Sequence, residues 1–217
     1  MKILVLGGSG RTGQWVIQEA LEAGFFVHAL VRNQESLPAH DRLRILEGSC
    51  LKRKDLDKAL TGTSAVVSTL NVSRKSDFTW SKLRSPEDLM SKTIESLIPL
   101  MYAHGISRLI AVSASGVGDS SGYLPGWFGW LIKNSNIRYA YADHERQEKL
   151  IRNSDLDWTV YRPVGLTNAN KISKVKITGN DGPEPSLTIS RRTLAHYIIE
   201  SLENNLHFQE SPIISTS

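Results

Sequence analysis

Residues 2–13 read KILVLGGSGRTG, an apolar run that stops at four glycines in seven positions. The run predicts a buried strand over residues 2–6. The spacing of Val16, Ile17, Ala20 and Leu21 predicts a helix over residues 14–23, closed by Gly24. The glycines satisfy two spacings at once: Gly8, Gly10 and Gly13 give G-x-G-x-x-G, and Gly7, Gly10 and Gly13 give G-x-x-G-x-x-G. A bare backbone between strand and helix permits a sharp turn and close approach of a pyrophosphate. It also points the first helical amides at that anion.

Working outward, the chain keeps alternating between the two periodicities. Strands are predicted over residues 25–31, 43–46, 64–70, 108–112 and 158–161, the last stopped by Pro163. A short strand over 174–178 precedes a turn at Gly179-Asn180-Asp181-Gly182, and 212–215 reads as a final edge strand. Helices are predicted up to Leu60 with Asp55 as cap, over 86–104, over 139–153, and up to Leu202 with Ser190 as cap. Residues 116–130, rich in Gly, Ser and aromatics, read as a long loop or insertion. The alternation predicts an α/β, Rossmann-like doubly wound parallel sheet with helices on both faces, in one domain over residues 1–217.

Composition bounds the partners. Hydrophobic residues make up 40% and charged residues 22%, with a formal net charge of +4 from scattered basic residues, so no nucleic-acid surface is expected. Cys50 is the only cysteine, which excludes an intrachain disulfide and suits a reducing, cytoplasmic setting. Four apolar residues before the glycines are too few for a signal-peptide core, and no stretch is apolar enough to span a bilayer. No membrane partner and no metal site are expected, and a monomer or homodimer suffices.

The arginines refine the ligand. An NAD site places Asp or Glu about twenty residues past the glycines to bind the ribose hydroxyls. Here Arg32 stands nineteen residues after Gly13, in the strand end ALVRN, with no acid beside it. A guanidinium forks onto a 2′-phosphate that a carboxylate would repel, so Arg32, with Arg11 in the glycine loop, points to NADP. Ser9 and Thr12 add hydroxyl donors to the loop.

With these residues in view, the chain resembles the atypical short-chain dehydrogenase/reductases, in particular their NmrA-like and flavin-reductase/biliverdin-IX-beta-reductase-like branches. The carriers are GGSGRTG, LVRN, AVSASG at 111–116, DHERQEKLIRNSDLDWTVYRPVGLT at 143–167 and ISRRTLAHYI at 190–199. The resemblance implies that Gly7, Gly10, Arg11, Thr12, Gly13 and Arg32 bind the phosphates. It further implies that Leu70 and Asn71 lie against adenosine and its ribose, and that Ser113 lies near the nicotinamide. Backbone groups at Pro163, Val164 and Gly165 are implied to meet the carboxamide. The family's Tyr-x-x-x-Lys pair is missing: none of the six tyrosines has a lysine four positions on. The acid usual after the third strand is replaced by Ser49-Cys50, and Ala114 stands where the flavin/biliverdin reductase carries serine.

Two side chains remain as catalytic candidates. Ser113 orients carboxamide or substrate, or else bonds backbone as strand-end serines do. His144 donates a proton or grips a substrate carboxylate, or else forms with Asp143 a pair that satisfies helix amides. The implied activity is an NADPH-dependent oxidoreductase passing hydride to a flat conjugated small molecule such as a flavin or quinone, which takes its proton from solvent. The alternative is a non-catalytic NADP(H)-binding redox sensor of NmrA-like type. A transient-cofactor epimerase is disfavoured by the missing tyrosine. The aromatic stretch 123–130 is a lid, a minor core or a dimer contact.

Overall fold

The strand spelled KILVL lies in the middle of the main sheet. The computed structural model describes residues 1–179 and 183–217. β1 (Lys2–Leu6) is flanked in parallel by β2 (Phe26–Val31) and β4 (Ala65–Ser68). With β3 (Leu43–Glu47), β5 (Arg108–Val112), β6 (Asp157–Pro163), β8 (Val175–Thr178) and β10 (Ile213–Thr216), the order is β3-β2-β1-β4-β5-β6-β10-β8. Among the described strands of this sheet only β8 runs antiparallel to its neighbour. β7 (Gly165–Thr167) and β9 (Thr188–Ser190) pair separately.

The pleat explains the continuous apolar strands. Ile3 and Val5 face one side, where they pack with Val16, Ile17 and Ala20 of α1 (Arg11–Glu22) and Leu194 and Ile198 of α6 (Arg191–Glu203). Leu4 and Leu6 face the other, with Leu56 and Leu60 of α2 (Arg53–Leu60), Ile94 and Leu97 of α3 (Leu89–Ala103) and Ile151 of α5 (Ile137–Arg152). Helices on both faces leave no polar side for these strands, so alternation is absent from their sequence.

Four expectations need correction. Residues 116–130 are not a loop: a 3-10 turn over Gly118–Tyr123 leads into α4 (Gly126–Asn134). β10 is not an edge, because β8 pairs along its outer side. Asp55 is not the cap of α2; it lies in the first turn and accepts from the Ser49 amide at 2.8 Å. The long third helix begins at Leu89, three residues after Pro86. Ser190 does cap α6, its hydroxyl accepting from the Thr193 amide. The expected turn at 179–182 falls on residues 180–182, outside the described residues.

Candidate functional site

The first turn of α1 is tight and lacks a side-chain cap. After Leu6 the chain bends at Gly7 with φ +79°, where a Cβ would stand 2.9 Å from the backbone of Thr69 just past β4. Gly13 is tighter still: a Cβ there would fall 2.2 Å from the Gly7 carbonyl oxygen. Gly10 is the N-cap, with no side-chain cap and no acid in the first turn. The leading amides of α1 therefore lack a side-chain acceptor, and the helix dipole favours negative charge there. These residues fit a pyrophosphate.

Register brings the remaining residues to the same edge. Leu6 lies opposite Leu30 of β2 and Ser68 of β4, Ser68 opposite Ala111 of β5, and Val112 opposite Tyr161 of β6. Arg32, the Leu70-Asn71 pair, Ser113, and Pro163 with Val164 and Gly165 thus follow the carboxyl ends of successive strands, where ligands bind in doubly wound folds. Arg32 is exposed and has no carboxylate partner among the described residues. Arg11 instead donates to both carboxylate oxygens of Asp77, at 3.1 and 2.9 Å. Both partners are exposed, so the pair is worth ~0–1 kcal/mol and yields readily to a phosphate dianion. Arg191, at the start of α6, adds a third guanidinium: burial, and then the neighbouring Arg11 charge, weaken its hold on its proton. Asp77 carries no sequence signal and Arg191 only the resemblance of 190–199, since each comes near Arg11 only through the fold.

Behind the edge lies a buried charge network. Ser113 is 4% exposed and donates its hydroxyl to Glu148 Oε1 at 2.6 Å. Glu148 receives Arg162 Nε at 3.1 Å and Nη2 at 2.6 Å, and Arg162 Nη1 pairs with Asp119. Ser113 is therefore tied to a carboxylate rather than to backbone. The amides after β6 are also engaged internally, Val164 to the Ile214 carbonyl at 3.2 Å and Gly165 to the Leu187 carbonyl at 3.1 Å. Tyr141 donates to the Ser115 carbonyl at 3.0 Å, and burial pushes its phenol up to about 12.

His144 and Asp143 lie well inside α5, not at its start. Asp143 satisfies amides of a different helix, accepting from Met90 at 2.7 Å and Ser91 at 3.3 Å at the head of α3. His144 is buried against β5: Gln147 Nε2 meets its Nδ1 at 3.1 Å and donates to the Val112 carbonyl. Burial holds the His144 imidazole down to about 4 against the pull of Glu148 and Asp143, so it is neutral at pH 7. The unfolded chain takes this proton near pH 6.5, the native chain only near pH 4. Stability accordingly falls as pH drops through that window, by about 3 kcal/mol from this group. Urea titrations at pH 7 and pH 4 should show His144→Gln losing about 3 kcal/mol less than the parent; equal losses would refute the assignment.

The model of a family described as NAD(P)H-binding matches residues 7–205. A UPF0659 protein of Schizosaccharomyces pombe is 26% identical over 191 residues, 80% of this chain and 74% of that protein. A short-chain dehydrogenase/reductase of Veillonella parvula, solved in complex with NADP, has a TM-score of 0.80 at 19% identity, covering 99% of this chain and 94% of its own. ChuY of Escherichia coli, described as an anaerobillin reductase, has a TM-score of 0.81 at 19% identity, covering 100% and 97%. The fold is that of NAD(P)-binding oxidoreductases, and no helix among the described residues is long and apolar enough to cross a membrane. On the match over nearly its whole length, joined to the uncapped glycine turn, the chain belongs to the NAD(P)H-binding family.

Proposed function

We propose that the chain is an NADPH-dependent oxidoreductase that delivers hydride to a flat, conjugated acceptor such as a flavin, a quinone or a linear tetrapyrrole. The observation that carries this reading is Arg32, exposed and without a carboxylate partner among the described residues, just past the end of β2, which neighbours the strand leading into the uncapped head of α1. Arg32 grips the 2′-phosphate, and the amides of α1 hold the pyrophosphate. Leu70 and Asn71 bound the adenosine side, and the backbone from Pro163 to Gly165 bounds the far end. When bound, the nicotinamide supplies the hydride. The protein's own part is to orient and to exclude water.

The commitments of the buried groups support this class of acceptor. His144 is neutral at pH 7, and Ser113 donates its hydroxyl to Glu148, so neither stands ready as a charged acid. The tyrosine-lysine pair that protonates an alkoxide is missing from the sequence. A conjugated acceptor that spreads charge and draws its proton from solvent suits such a site. The NADP bound by the Veillonella protein and the reductase description of ChuY support the same reading.

Two measurements test it. Incubated with NADPH and FMN or a quinone, the protein should bleach the nicotinamide absorbance catalytically; binding without consumption would instead favour the redox sensor. Arg32→Asp should weaken NADPH binding by about 2 kcal/mol, roughly thirtyfold, and leave NADH nearly unchanged in calorimetry. Equal losses for both coenzymes would overturn the 2′-phosphate assignment.

A further inference from the structure

Four of the exposed aromatic residues lie on two neighbouring elements, the segment after β4 and α4. After β4 the chain doubles back as a hairpin: Arg74 bridges Leu83, and the Lys75 amide donates to the Lys82 carbonyl at 3.0 Å. Phe78 and Trp80 occupy its tip, their ring centroids 5.4 Å apart. On α4, Trp127 and Trp130 are three residues apart and so share a face. The tip is fastened to the end of that helix. The Trp80 indole N–H donates to the Asn134 carbonyl at 2.9 Å, Asn136 Nδ2 donates to the Trp80 carbonyl at 2.8 Å, and the Asn136 amide donates to the Thr79 carbonyl at 3.0 Å.

These bonds satisfy the polar groups and leave the rings in water. Phe78 is 65% exposed, Trp80 45%, Trp127 69% and Trp130 61%. Single exposed apolar side chains need no explanation, but four large exposed aromatics on a hairpin tip and a helix that specific bonds fasten together mark an interaction surface. The surrounding charge identifies the partner. Lys75, Lys82 and Arg84 on the hairpin, Lys133 on α4 and Arg138 at the start of α5 are all exposed. None pairs with a carboxylate among the described residues. Across 72–85 and 124–142 the only acid is Asp77, and its carboxylate is held by Arg11. A second copy of the chain docking here by two-fold symmetry would set these five cations against themselves. Indole rings with lysines and arginines, and almost no acid, suit the headgroup level of a bilayer.

We propose that this face docks the protein onto an anionic phospholipid surface, the indoles entering the headgroup layer and the five cations meeting lipid phosphates. Docking of this kind needs no spanning segment, so it stands beside the lack of a crossing helix. The expectation of no membrane partner rested on the lack of a spanning stretch, and surface docking is a different mode of contact.

The full chain should co-sediment with vesicles of phosphatidylcholine containing one third phosphatidylglycerol, and far less with phosphatidylcholine alone. Tryptophan emission should shift to the blue on binding, and added salt should release the protein. Lys75→Gln with Lys82→Gln should lower partitioning about fivefold per residue. Trp127→Ser with Trp130→Ser should lower it at least tenfold, with NADPH calorimetry confirming that each variant is folded. Failure to bind the anionic vesicles, or binding indifferent to both pairs of substitutions, overturns the proposal. So does a dimer in sedimentation velocity that the tryptophan substitutions dissociate.

Discussion

Replacing Arg162 with Met should cost the folded state about 3–5 kcal/mol, because it leaves the Glu148 carboxylate buried without its principal partner. Glu148 and Arg162 are each 4% exposed, and two bonds at 3.1 and 2.6 Å join them as a fork. Arg152 approaches the same carboxylate only to 3.6 Å, and Ser113 supplies a neutral hydroxyl, so neither makes up the lost charge. Burial alone would lower the Arg162 guanidinium, but the bonds it donates to Glu148 and Asp119 outweigh that and raise it above its ordinary range, so it stays charged throughout. A domain of ordinary stability has about 5–15 kcal/mol to lose, so the urea midpoint should fall far. Arg162→Met combined with Glu148→Leu should recover most of the loss, since a well-packed apolar pair avoids stranding a charge. Should the single variant unfold within about 1 kcal/mol of the parent, the network contributes no more than a surface ion pair.

How much of this was legible in the sequence depends on whether the determinant is local. The glycine turn, its flanking strand and helix, and the Ser190 cap are local, and each is found, although α1 opens at Arg11, three residues ahead of the expected start at Gln14. The doubly wound order follows from alternating strands and helices and needs no knowledge of individual contacts. α4 was hidden because Pro125, Gly126 and Gly129 are loop residues by propensity. Only the tertiary setting, with Ile132 buried and the hairpin bonded to Asn134 and Asn136, makes GWFGWLIKN helical. The interior place of β10 likewise depends on β8 folding back along it, which no local pattern records.

At the site, the sequence named the residues of the carboxyl edge but not their alliances. Arg11 and Arg32 look equivalent as letters. In the structure one holds Asp77, and the other has no acid among the described residues. Ser113 reads as a candidate catalyst from its strand-end place in the resemblance and His144 from the near-neutral titration of an imidazole, yet both are committed inward, to Glu148 and to Gln147. Glu148 and Arg162 both sit in the stretch that carries the family resemblance, fourteen positions apart, and only the pairing of α5 against β6 brings them together.

The cradle itself supplies the largest functional effect. Gly13→Ala puts a Cβ 2.2 Å from the Gly7 carbonyl oxygen and 2.8 Å from Gly8 Cα, both backbone atoms with no flexible end to yield. The first turn of α1 must retreat by roughly 1 Å to reach an ordinary contact. That withdraws the amides from the anion, and losing one or two charge-assisted hydrogen bonds costs about 3 kcal/mol. NADPH and NADH should both bind about a hundredfold more weakly in calorimetry, because the pyrophosphate is common to them. This separates the variant from Arg32→Asp, which should affect NADPH alone. The fold should survive with about 1–3 kcal/mol less stability, as for other overpacked sites. Gly10→Ala, whose Cβ would stand 3.1 Å from the same oxygen, should give a smaller loss in the same direction. Undiminished binding of both coenzymes by Gly13→Ala would mean that the head of α1 does not carry the phosphates, and the assignment of the whole edge would fall with it.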